Sequence, residues 1–237
     1  MLLRFKIASH PKYSGLRLWG RFFFVGILPY FKEKTVSGLW GSALFCLWIV
    51  RGRLKMKYMI ASDIHGSAYY CEKLIDCYKR EKADRLILLG DILYHGPRND
   101  LPEGYAPKKV IPMLNELKDE ILCVRGNCDT EVDQMVLEFP VLADYAVLCE
   151  QGRLIYMTHG HKFNESNLPP IQNGDILLHG HTHVPKKVKH ENYTYLNPGS
   201  VSIPKENSYR GYIILENGVF SFRDLDNNVK NEYRISE

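Results

Sequence analysis

Lys57-Tyr58-Met59-Ile60-Ala61-Ser62-Asp63-Ile64-His65-Gly66 is an apolar run that breaks into an aspartate, a histidine and a glycine. A short apolar run of this length reads as a buried β-strand, and the polar residues after it fall where the strand passes into a loop. The pattern returns along the chain. Gly90-Asp91 follows Arg85–Leu89, Gly126-Asn127-Cys128-Asp129 follows Glu120–Arg125, Thr158-His159-Gly160-His161 ends Arg153–Thr158, and Gly180-His181-Thr182-His183 follows Ile176–Leu178. In an α/β sheet, loops at the carboxyl ends of strands converge on one point, so these blocks are placed to build one site.

Between these strands the period changes to that of a helix. Cys71, Leu74, Ile75 and Tyr78 mark one apolar face, and Val110, Ile111, Leu114 and Leu117 mark a second, entered through Pro107 and bent by Pro112. After residue 140 the chain turns to hairpins. Tyr145–Glu150 and Arg153–Thr158 flank Gln151-Gly152, and Tyr212–Glu216 and Val219–Arg223 flank Asn217-Gly218, while Tyr193–Leu196 adds a further strand. The expected fold is α/β, a two-sheet sandwich flanked by helices.

The chemistry follows from the donor types. Carboxylate, amide oxygen and imidazole nitrogen together suit Mn, Fe, Zn and Ni. Asp63 and His65 can face one ion if the extended backbone persists through them. Asp91 is the natural carboxylate to bridge two cations, which two-metal hydrolases hold about 3.5 to 4 Å apart. Asn127, His159, His181 and His183 complete the set. A lone Asp-x-His or Gly-Asp is ordinarily a turn or a surface pair; the case rests on the ordered series. His10 and His190 read as solvated, His179 as a strand residue, and His161 as a neighbour of the site or a surface group.

Composition bounds the rest. Residues 1–55 hold ten Lys and Arg against the single acidic Glu33, and all three tryptophans, whereas residues 56–237 hold 21 basic and 26 acidic residues. This shift sets a boundary near Met56. Phe22–Leu28 and Val36–Val50 fall short of the roughly 20 residues of a spanning helix, and Arg51-Gly52-Arg53 is no signal-peptidase site. Residues 1–55 are therefore expected to be an N-terminal extension, from a misplaced start or as a weak membrane anchor. The acidic balance beyond Met56 argues against a stable nucleic-acid complex. The six cysteines form no CxxC pair, as in the reducing cytoplasm.

From Met56 to about Ile203 the chain resembles the calcineurin-like metallophosphoesterases and, within them, the bacterial YfcE-type phosphodiesterases. The likeness extends beyond the proposed ligands to His95-Gly96-Pro97-Arg98-Asn99, Leu101–Pro107, Glu131–Met135 and Asn197–Pro204. The resemblance implies that Asp63, His65, Asp91 and His183 hold one divalent ion and Asp91, Asn127, His159 and His181 a second, with Mn the first expectation and Fe, Zn or Ni the alternatives. It implies a catalytic role for Asp91, Asn127 and Cys128, and attack by a metal-bridging hydroxide on a small phosphodiester. Many members carry histidine where this chain has Cys128; a thiol of ordinary pKa, about 8.5, is a poorer acid for the leaving group near neutrality. His95, Arg98 and Arg125 are the candidate substrate contacts. The competing expectations are a phosphomonoesterase or phosphoprotein phosphatase, and a non-catalytic protein-binding scaffold, against which all seven expected ligands stand. A homo-oligomer is compatible with the resemblance.

Overall fold

In the computed structural model, which describes residues 56–235, Met59 and Ala61 pack into one core and Ile60, between them, into another. This alternation, repeated in neighbouring strands, makes a sandwich: each strand of a doubly covered sheet serves two cores. The expectations for residues 1–55, including the boundary, the apolar stretches, Cys46 and His10, lie outside the described residues.

The order is β1 (Tyr58–Ala61), α1 (Ala68–Glu81), β2 (Arg85–Leu88), α2 (Pro107–Asn115), β3 (Ile121–Cys123) and α3 (Glu131–Gln134). There follow β4 (Tyr145–Glu150), β5 (Arg153–Thr158), β6 (Asp175–His179), β7 (Lys186–Lys189), β8 (Tyr193–Asn197), β9 (Gly211–Glu216), β10 (Val219–Asp224) and β11 (Val229–Arg234). Six strands form one sheet in the order β11-β10-β9-β1-β2-β3 and five form the other in the order β4-β5-β6-β8-β7. Both are mixed. β1, β2 and β3 run parallel in the first, and β5, β6 and β8 in the second.

Between the sheets lie Ile60, Ile87, Leu89, Ile155, Ile176 and Leu178 with their neighbours from β9 and β10. On the other face of the first sheet, Leu86, Leu88 and Ile214 pack with Cys71, Leu74 and Tyr78 of α1 and Val110 and Leu114 of α2. The helix periodicities thus face the core they predict. Ser67 caps α1: its Oγ accepts the Tyr70 N–H at 3.2 Å and donates to the Glu103 carbonyl at 2.6 Å. The outer face of the second sheet carries a smaller cluster of Tyr156, Leu177 and Tyr195, packed by Ile171 and Val188. Among the described residues no helix is long and apolar enough to cross a membrane.

β3 is shorter than its apolar run. Val124 N–H still bonds Leu88 O at 3.0 Å, but Arg125 N–H turns to Ala143 O at 2.8 Å, so the chain leaves the ladder just before Gly126. Gln151-Gly152 and Asn217-Gly218 all have positive φ, from 49 to 80°, as the tight turn between twisted strands requires.

The ends of β2 and β3 meet at glycines. At Gly90, φ is +94° and an added Cβ would overlap the Gly126 backbone, whereas at Gly152, φ +80°, nothing lies within 4 Å of that position. We predict that Gly90→Ala loses about 3 kcal/mol in denaturant unfolding and Gly152→Ala about 1 kcal/mol. Equal losses would contradict the close approach.

Candidate metal centre

The five blocks follow β1, β2, β3, β5 and β6, and the loops bring their donor atoms into two adjoining groups. In the first, His65 Nε2 stands 3.2 Å from His183 Nε2, 3.5 Å from Asp63 Oδ1 and 3.6 Å from Asp91 Oδ2, and His183 Nε2 is 3.2 Å from Asp63 Oδ1. In the second, His159 Nε2 is 3.4 Å from the same Asp91 Oδ2, 3.0 Å from Asn127 Oδ1 and 3.1 Å from His181 Nδ1. Asp91 Oδ2 is common to both. Two atoms each about 2.1 Å from one ion, at tetrahedral to octahedral angles, stand about 3.0 to 3.4 Å apart, close to these separations.

The proton positions sharpen the fit. His65 Nδ1 is 2.8 Å from Tyr94 O, His159 Nδ1 is 2.7 Å from Leu89 O, and His183 Nδ1 is 2.9 Å from Ile203 O. A carbonyl only accepts, so each Nδ1 carries a hydrogen and each ring, when neutral, turns a bare Nε2 lone pair inward. Those lone pairs face each other and carboxylate oxygens in a site where Asp63, His65 and His159 are at most 1% exposed. Asp63 Oδ1 is buried with no hydrogen-bond partner. Acceptors facing acceptors in so buried a space need positive charge between them. The residues present therefore fit a pair of divalent ions.

The titrations carry the same message. Burial opposes charge on both carboxylates, yet His183 and His65 hold Asp63 well below the usual range, and His159 holds Asp91 below it. Burial likewise opposes an imidazolium at His159, but Asp91 and Asp63 push it up to about 9. His181 falls to about 4 through burial and the charge of His159.

The backbone departs from the expectation for Asp63 and His65. They do not converge through an extended strand: φ is +60° at Asp63 and +50° at His65, and also positive at Asp91 (56°), His181 (66°) and His183 (63°). The strand has ended, and a left-handed step aims each side chain instead. For residues with a Cβ that conformation costs roughly 1 to 2 kcal/mol apiece, so the surroundings must hold it. Ser200 Oγ and Ser202 Oγ both donate to the Asp63 carbonyl, at 2.8 and 3.1 Å. Asp63 Oδ2 accepts the His181 N–H at 3.0 Å, and Asp91 Oδ1 the Cys128 N–H at 2.8 Å. Asp129, buried, accepts the N–H groups of Asp91, Ile92 and Gly126 at 2.7 to 2.9 Å and so ties the β2 loop to the β3 loop. Burial pushes its carboxyl up to about 6 against those bonds.

Sequence reasoning gave Asp129, Ser200 and Ser202 no role, although all three lie in blocks it singled out. The signals available were the place of Asp129 two residues after Asn127 and of Ser200 beside Gly199; Ser202 offered none. Of the expected substrate contacts, Arg98 is exposed and has no hydrogen bond or ion pair among the described residues, and His95 Nδ1 is buried without a partner. Arg125 is otherwise engaged: its Nε donates to Asp129 O at 3.1 Å and its guanidinium lies 3.4 Å from Glu131. Cys128 Sγ belongs to a group with His65 and Asp91 whose donor atoms lie within 4.8 Å of one another, and burial with the Asp91 charge pushes its thiol up. His161 lies with its ring 5.5 Å from that of His159. His179 ends β6 stacked on Tyr195 at 4.4 Å, and His190 pairs with Glu165 at 3.0 Å rather than standing free in solvent.

The family model of the calcineurin-like phosphoesterase superfamily domain matches residues 56–218. Phosphodiesterase YfcE of Escherichia coli strain K12 is 50% identical over 167 residues, which is 70% of this chain and 90% of that protein. The solved structure of YfcE, a phosphoesterase from E. coli, superposes with a TM-score of 0.74 at 45% identity, over 76% of this chain and 100% of that one. The probable metallophosphoesterase YsnB of Bacillus subtilis is 26% identical over 180 residues, 72% of this chain and 91% of that protein.

The inward lone pairs have a signature in the metal-free protein. His159 rises in the fold from an ordinary 6.5 to about 9, so its proton stabilises the fold fully below pH 6.5 and this stabilisation is lost as pH rises through 9. We predict that chelator-treated protein melts at progressively lower temperature from pH 6.5 to 9, and that Asp91→Asn flattens this slope. A melting temperature independent of pH in that window would contradict the arrangement of acceptors.

Proposed function

This chain belongs to the calcineurin-like phosphoesterase superfamily, and from that premise we propose that it is a dinuclear metal-dependent phosphodiesterase acting on small diesters. The observation that carries the proposal is the pair of inward-facing donor groups sharing Asp91 Oδ2. Asp63, His65, Asp91 and His183 would hold one divalent ion, and Asp91, Asn127, His159 and His181 the other. Bound there, the ions would supply a water of lowered pKa as nucleophile and positive charge at the phosphoryl oxygens. Mn is the first expectation.

The chain's own residues then set orientation and proton traffic. The carbonyls of Tyr94, Leu89 and Ile203 fix the ligating tautomers, and the Cys128 N–H fixes the rotamer of Asp91. Arg98, which has no hydrogen bond or ion pair among the described residues, would pair with a phosphate oxygen, and His95 would be a second polar contact. Arg125 is assigned to holding the loop after β3, through Asp129 and Glu131. Cys128, whose Sγ lies within 4.8 Å of donor atoms of His65 and Asp91, would be the general acid for a departing alkoxide, but its raised thiol holds its proton tightly. The leaving group must then depart as an anion, which favours diesters of acidic alcohols and disfavours alkyl monoesters. The catalytic unit proposed is residues 56–237. The cytoplasm is the proposed compartment, in keeping with the free thiols of Cys71, Cys77, Cys123, Cys128 and Cys149.

The test is hydrolysis of bis(p-nitrophenyl) phosphate and p-nitrophenyl phosphate by the full chain with and without Mn. Expected is Mn-dependent activity on the diester, at least tenfold above that on the monoester, and a loss of at least about a hundredfold in Asp91→Asn. Diester hydrolysis that survives a chelator, or that Asp91→Asn leaves intact, would overturn the proposal. Cys128→His is expected to raise the monoester rate relative to the diester rate; an unchanged ratio would remove Cys128 from the account of leaving-group choice.

A further inference from the structure

Of the proposed histidine ligands, His65, His159 and His183 are held from behind, each at Nδ1 by a backbone carbonyl. His181 is not. It presents Nδ1 to the centre, 3.1 Å from His159 Nε2, and no carbonyl meets its ring among the described residues. Its aim must therefore come from the backbone. Thr182 N–H donates to Gly180 O at 2.7 Å around a His181 whose φ is +66°. His181 is thus the central residue of a γ-turn of positive φ, a rare and strained conformation.

The Gly180 carbonyl that closes this turn gathers two further donors, Asn197 Nδ2 at 2.9 Å and His179 Nδ1 at 3.0 Å. They are not equivalent. The Asn197 amide has two hydrogens to give and is shared, since Nδ2 also lies 3.0 Å from Thr182 Oγ1 and 2.8 Å from Tyr195 Oη. His179 Nδ1 bonds Gly180 O alone, and its ring is wedged. It stacks on Tyr195 with centroids 4.4 Å apart, and Gly160 comes so close that a Cβ there would lie 2.6 Å from His179 Nδ1 and 3.1 Å from His181 Cβ. His179 Nε2, meanwhile, is buried with no hydrogen-bond partner among the described residues. A phenyl ring would fill this space without such an atom, so packing alone gives no reason for an imidazole. What the imidazole adds is the bond to Gly180 O.

We propose that His179 is a positioning residue for the second ion: its Nδ1–H pins the Gly180 carbonyl, and the pinned carbonyl holds the strained turn that points His181 toward Asn127 and His159. It does through the main chain what the carbonyls of Tyr94, Leu89 and Ile203 do directly at the other three rings. The Gly160 contact links the same ring to the neighbouring loop, because Gly160 follows His159. This rests on the dinuclear reading above.

The experiment separates the donor from the ring. Phenylalanine at 179 keeps a ring and loses the donor, whereas asparagine loses the ring and keeps an amide N–H near the place of Nδ1–H. Metal-free full-length protein and its His179→Phe and His179→Asn variants are titrated with Mn by electron paramagnetic resonance, and their melting temperatures are measured without metal. Expected for His179→Phe is one ion bound as in the unaltered chain and the other about tenfold more weakly, in a protein that melts above His179→Asn. Expected for His179→Asn is the lower melting temperature, from lost stacking, with most of the second-ion affinity kept. A ring that serves only packing gives the opposite order, with His179→Phe at full affinity and His179→Asn impaired. That order, or full affinity in both variants, would overturn the proposal. If the unaltered chain binds fewer than two ions, the dinuclear reading fails. Hydrogen exchange at the Thr182 amide of the metal-free proteins then decides the clamp: faster exchange in His179→Phe than in His179→Asn supports it, and equal exchange overturns it.

Discussion

Everything around the centre depends on one electrostatic constraint: acceptor atoms have been aimed at one another in a buried space. Asp63, Asp91 and His159 place their donor atoms within 4.8 Å of one another. Two carboxylates at such a distance repel by about 3 kcal/mol even at an effective dielectric of 20, and bare imidazole nitrogens add to the conflict. Only positive charge resolves it, either a proton on His159 or divalent cations. The fold maintains this arrangement by locking each proposed histidine ligand of the first group, and His159 of the second, from behind. Carbonyls that end neighbouring strands or loops hold Nδ1, so the rings cannot turn to satisfy themselves elsewhere.

The same constraint accounts for the strain. Left-handed conformations at Asp63, His65, Asp91, His181 and His183 are nearly half of the non-glycine residues with positive φ in the described chain. Such residues persist only where their surroundings over-determine them. Ser200 and Ser202 hold the Asp63 carbonyl, Asp129 gathers three N–H groups, and the parallel core strands bring all five loops to the same edge. Packing thus supports chemistry directly: the apolar residues of β1, β2, β5 and β6 fix where the loops begin, and the buried polar residues fix how they turn.

Much of this was legible in the chain because the two periodicities are strong. Met59, Ile60 and Ala61 announce a strand covered on both faces, and the helix stripe at Cys71, Leu74, Ile75 and Tyr78 lies against the core it predicts. The convergence of the blocks was legible because each ends an apolar run. What sequence could not supply was backbone handedness. Asp63 and His65 look like alternate residues of a continuing strand, and only the hydrogen bonds of their neighbours show that they are not. Long-range partners were equally hidden. Arg125 has the chemistry of a phosphate contact, and its engagement with Asp129 and Glu131 is a matter of tertiary position. The sign of the Cys128 shift likewise depends on burial beside Asp91.

The most direct test of the central claim is to count the cations. Metal-free full-length protein titrated with Mn at pH 8, followed by elemental analysis after removal of free metal, should hold two ions per chain. Asn127→Ala should reduce this toward one, because Asn127 serves only the second group. A single ion per chain in the unaltered protein, or none in protein that is demonstrably folded, would contradict the account.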